Sequence, residues 1–78
     1  MLKLPRISGA RVIRALERLG FAQARQRGSH VVMRKVTPEG EVGCVVPLHD
    51  ELAVGTLRGI LRQARVTPDQ FLQQLTRR

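Results

Sequence analysis

An α+β fold is what this sequence predicts: the order α-β-β-β-α with a short extra helix at the end, and a three-stranded antiparallel sheet with helices on one face. Three observations predict it. Apolar residues recur with the helical period early in the chain and again from Val54. Between these stretches lie three short segments with turn signals between them. The length, 78 residues, is enough for one small core and no second, so residues 1–78 read as a single domain.

Each element has its own signature. Ser8 suits an N-cap and Gly20 a helix end. Between them Val12, Ile13, Leu16 and Leu19 fall on one helical face, and Arg11, Arg14 and Arg18 on the opposite one. Phe21–Arg27 is the least marked strand, polar and poor in β-branched residues. Gly28-Ser29 is a tight turn, since glycine tolerates positive φ. His30–Val36 alternates and is rich in β-branched residues. Thr37-Pro38-Glu39-Gly40 is the second turn. Glu41–Pro47 is an apolar strand of open phase, because Val42, Cys44 and Val46 alternate with Gly43 and Val45. The three strands read as a meander whose second face is open to solvent or a partner.

Leu48–Ala53 is a loop. In the helix that follows, Leu57, Ile60, Leu61 and Ala64 face one way and Arg58, Arg62 and Arg65 the other. Thr67-Pro68-Asp69-Gln70 starts the last helix with a cap, a proline at the first helical position and a capping glutamine. Phe71, Leu72 and Leu75 form its apolar side.

Composition narrows the function classes. Phe21 and Phe71 are the only aromatic residues, which argues against recognition by base stacking. The lone Cys44 excludes an intrachain disulfide and a cysteine zinc site, and reads as a small buried hydrophobe. His30 and His49, with few acids near them, do not suggest a metal site, and no cofactor is expected. No apolar run suits a signal peptide or the ~20 residues of a membrane span, so a cytoplasmic protein with no membrane contact is expected.

The net charge of +8 is unevenly placed. Residues 1–38 hold nine basic side chains and one acid, Glu17, while residues 39–78 hold five of each sign. Such asymmetry favours a polyanionic partner, most simply nucleic acid.

The candidate chemistry centres on His30. Histidine transfers protons in both directions near neutral pH. If the first two strands pair, His30, Val32 and Arg34 share one face, and Val31, Met33 and Lys35 the other. Met33 and Val31 suit the helix-covered face, which leaves His30 and Arg34 on the open one, with Arg25 and Arg27 on the neighbouring strand. RNA cleavage needs a base for the ribose 2′-OH, an acid for the departing 5′ oxygen, and positive groups for the phosphoryl oxygens. His30 fits either proton-transfer role, and arginine suits bidentate phosphate contacts. The second role is open to His49, to water or to a lysine such as Lys35. Ser29 and His30 point to opposite faces, so Ser29 braces the turn or donates to phosphate rather than pairing with the imidazole. Two other readings stay open: a non-catalytic RNA-binding module, and a basic protein-interaction module.

Several short motifs, in order, match a known family. They are Leu19-Gly20-Phe21, Arg25-Gln26-Arg27-Gly28-Ser29-His30, Val45-Val46-Pro47-Leu48-His49, Gly55-Thr56-Leu57-Arg58-Gly59-Ile60-Leu61 and Thr67-Pro68-Asp69-Gln70-Phe71-Leu72. The chain resembles the HicA toxins of bacterial toxin–antitoxin systems, also described as YcfA-like. The resemblance implies a double-stranded-RNA-binding-domain-like fold and metal-independent cleavage of mRNA that blocks translation. It implies a HicB-like antitoxin as partner. It assigns the essential histidine to His30, within the Gly28-Ser29-His30 motif. By charge and position, Arg25, Arg27, Arg34 and Lys35 are the candidate RNA contacts.

Overall fold

The structure is a computed structural model and describes residues 3–76. Met1, Leu2, Arg77 and Arg78, the ends of the expected single domain, lie outside the described residues. The elements are α1 (Gly9–Arg18), β1 (Ala22–Arg27), β2 (His30–Thr37), β3 (Gly40–Pro47), α2 (Val54–Ala64) and α3 (Pro68–Leu75). The strands form one antiparallel sheet in the order β1-β2-β3. The expected α-β-β-β-α order and closing helix are therefore found.

Local chemistry explains where the helices begin and end. The Ser8 hydroxyl accepts from the Arg11 N–H and caps α1. At the other end Phe21 N–H donates to Leu16 O and Gly20 N–H to Glu17 O, with Gly20 at a φ of 98°. This is a Schellman ending, and it turns Phe21 back into the core. Thr67 and Gln70 form the reciprocal capping box of α3. The end of α2 is less favourable. Arg65 adopts the left-handed conformation at a φ of 57°, which costs an L-residue with a Cβ about 1–2 kcal/mol. Arg65→Gly is therefore expected to stabilise the protein by about 0.5–1 kcal/mol, read as a raised unfolding midpoint in urea.

The core lies between the sheet and the helices. Val31 and Met33 on β2 and Cys44 and Val46 on β3 are buried, together with Val12, Ile13, Ala15 and Leu16 of α1 and Leu57, Ile60, Leu61 and Ala64 of α2. Phe71 closes it from α3. This settles the phase of β3, whose even-numbered residues Val42, Cys44 and Val46 face the helices. Leu4, Ile7 and Leu52 are buried as well, although no periodic pattern marks them. Leu52 N–H donates to Ile7 O, so the segment before α1 runs beside the loop before α2.

Burial raises the Cys44 thiol pKa from 9.0 to about 11, because the thiolate is denied solvation. The protonated thiol is thus favoured in the fold. That contribution to stability is complete below pH 9 and is lost as pH rises from 9 towards 11. Native protein is expected to react with a thiol-specific aromatic disulfide far more slowly than protein unfolded in urea.

Candidate active site

The open face of the sheet is built in rows. Directly opposed residues of an antiparallel pair point to the same side. Arg27, His30 and Pro47 form the first row, Arg25, Val32 and Val45 the second, and Ala22, Arg34 and Gly43 the third. Strands lie ~4.8 Å apart and alternate residues ~6.6 Å along a strand. Arg27 and Arg25 are thus the cations nearest His30, and Arg34 stands two rows away, at ~13 Å.

A bulge makes this arrangement possible. The β1–β2 register shifts between Gln23 and Arg25, leaving Ala24 as the extra residue. Continued without the shift, the pairing would put Arg25 opposite Val31 and turn it towards the helices. With it, Arg25 and Arg27 join His30 on the open face, while Gln23 and Gln26 take the helix side.

The turn that presents His30 is held from two directions. Gly28 has a φ of 54°, which a residue with a Cβ adopts only at a cost. Gln26 Nε2 donates to Gly28 O at 3.0 Å. Leu48 N–H, just past β3, donates to Ser29 O at 2.6 Å. The end of β3 is held in turn by α1. Gly9 N–H donates to His49 O at 2.9 Å, and a Cβ on Gly9 would collide with the Pro47 carbonyl. The neighbouring strand β1, the segment after β3 and, through it, α1 therefore fix the row that carries His30.

His30 is exposed, and among the described residues its imidazole has no hydrogen-bond or ion-pair partner. Ser29 makes no bond to it. Arg25 and Arg27 are exposed and likewise without side-chain partners among the described residues. Arg34 differs: its Nη1 donates to Glu41 Oε1 at 2.6 Å. That pair is largely solvent-exposed and contributes about 0–1 kcal/mol. Lys35 is not brought to His30. It lies on the helix side opposite Val42, with its ammonium 5.8 Å from the centre of the Phe21 ring. His49 stands in the loop two residues beyond Pro47, the cross-strand neighbour of His30.

Two contributors have only faint sequence signals. One is Gly9, a poor helix former placed where α1 begins, whose small size permits close backbone approach. The other is Ala24, whose role depends on the strand it pairs with.

The family model of the HicA toxin of bacterial toxin–antitoxin systems matches residues 9–66. The chain belongs to the HicA toxin family. The match starts at the first residue of α1, encloses the whole sheet with His30, and ends just beyond α2. As a HicA-family toxin the chain is one half of a toxin–antitoxin pair. No curated protein matches the chain closely enough to add to this. Among the described residues no helix is long and apolar enough to cross a membrane.

Proposed function

We propose that this HicA-family toxin is a cytoplasmic, single-domain endoribonuclease that cleaves mRNA without a metal ion and so blocks translation, with His30 moving a proton in the reaction. The observation that carries the proposal is the first row of the open face. It holds an exposed, unpartnered imidazole between the Arg27 and Pro47 strands, with Arg25 in the next row. Its neutral form takes the proton from a ribose 2′-OH. The 2′ oxygen bonds to the adjacent phosphorus, the bond to the 5′ oxygen breaks, and that oxygen leaves with a proton. The products are a 2′,3′-cyclic phosphate and a 5′-hydroxyl end. Arg27 and Arg25 stabilise the charge that grows on the phosphoryl oxygens.

Arg34 contacts the strand further along, once RNA competes with Glu41 for its guanidinium. Gly28 and Ser29 shape the turn. Lys35, on the far face, supports Phe21 rather than RNA, so the second proton transfer falls to water or His49. A HicB-like antitoxin would silence the enzyme by covering this face. The test is cleavage of RNA in EDTA by the wild-type protein and by His30→Ala. Intact RNA in the wild-type reaction would favour a binding module without chemistry.

A further inference from the structure

The basic residues of α1 are not used by the site just described. Arg11, Arg14 and Arg18 stand at positions i, i+3 and i+7, so they form one stripe on the helix. With Ala15 and Leu75 they line a groove between α1 and α3, and no acidic residue lines it. The groove encloses about 270 Å³, the share of roughly nine liquid waters, so a phosphate group and its hydration fit. Arg18 is already oriented there, since its Nη1 donates to Gln74 O at 2.8 Å. Arg11 and Arg14 are exposed, and their guanidinium groups have no partner among the described residues. Like charges at this spacing repel, and the one acid of α1, Glu17, lines the neighbouring groove instead.

The groove is connected to the candidate site. Arg14 also lines a second groove, between α1 and β1, with Glu17, Gln23, Gln26 and Leu48. Gln26 holds the Gly28 carbonyl, at the turn that carries His30. A strand leaving His30 around that turn meets Gln26, then Arg14, then Arg11.

We infer that the arginine groove of α1 is a second subsite, which binds the phosphate backbone of RNA flanking the segment at His30. The inference rests on the RNA reading proposed above, but not on cleavage by His30. It concerns affinity, and it makes α1 a clamp whose loss weakens binding regardless of sequence.

The test measures binding of a single-stranded RNA, long enough to cover both the open face and α1, at several salt concentrations. Every protein carries His30→Ala to keep the RNA intact. One adds Arg11→Gln with Arg14→Gln. A second adds Arg58→Gln with Arg62→Gln, which removes the same charge from exposed positions on α2. A third adds Arg11→Lys with Arg14→Lys. The α1 glutamine pair is expected to weaken binding about tenfold at physiological salt and to reduce the salt slope by about 1.4. The α2 pair is expected to change the slope by less than half as much. The lysine pair, which keeps the charges, is expected to keep the slope. Equal losses from the α1 and α2 pairs would overturn the subsite in favour of net charge alone, and so would unchanged binding by the α1 pair. Loss of slope in the lysine pair would also overturn it, because the effect would then be damage to the helix. Cleavage is scored separately, in proteins that retain His30. Failure of the cleavage reading leaves the binding result standing, and the reverse also holds.

Discussion

His30→Ala is expected to cut the rate of RNA cleavage by about 10²–10⁴-fold, the usual worth of a positioned proton-transfer group. The unfolding midpoint should stay within about 0.5 kcal/mol of wild type, because an exposed side chain with no bonds contributes little to stability. Both halves of this result matter. His30 begins β2 on the open face, and its ring is buried against nothing. Removing it leaves the Arg27 and Pro47 strands in register, since that register is set by backbone bonds and by the buried Val31 and Val46 behind the row. A loss of cleavage in a folded protein would therefore be chemical. Induced expression gives the cellular counterpart: growth arrest from wild type and none from His30→Ala. A variant that cuts RNA as fast as wild type would remove His30 from the mechanism.

Gly9→Ala is the second large effect expected, and it acts from the opposite side of the sheet. Alanine is normally the better helix former, by about 1 kcal/mol over glycine. Here the sign reverses. The added methyl would collide with the Pro47 carbonyl, and the nearest atoms on that side are all backbone, which has no flexible end to move aside. Overpacking of this kind costs typically 1–3 kcal/mol. For a domain of this size that is a fall in Tm of very roughly 5–20 °C. Relief requires α1 to lift away from the end of β3, which strains the Gly9–His49 and Leu48–Ser29 hydrogen bonds. Cleavage should therefore fall at temperatures where the variant is still folded. A calorimetric midpoint at or above that of wild type would show that the close approach does not constrain the protein.

Most of the fold was legible because its signals are local. Ser8, Gly20, Thr67 and Gln70 are read from their own neighbourhoods, and each does in the structure what its chemistry suggests. The strand boundaries also follow local turns, and Phe21 moved from β1 to the core because the helix ending before it turns it inward. What was not legible depends on pairing. The phase of β3 could not be read from a run apolar on both alternations. The Ala24 bulge exists only relative to β2. The Arg34–Glu41 pair needs the register that sets Arg34 opposite Gly43, with Glu41 diagonal to it. The placement of His30 with Arg34, and of Lys35 away from them, followed from alternation alone, since period two holds along an unbulged strand.

The bond from Gly9 to His49 bears on when the protein becomes active during synthesis. A single domain generally folds as one unit, and an isolated two-stranded hairpin is marginally stable at best in water. The β1–β2 hairpin that presents His30 therefore becomes stable only together with β3 and the loop that carries His49. Without that loop the turn lacks both the bond from Leu48 and the support of α1 at the end of β3. On the proposed mechanism a toxin half made is harmless, because the row around His30 becomes rigid only after the loop beyond β3 has been translated.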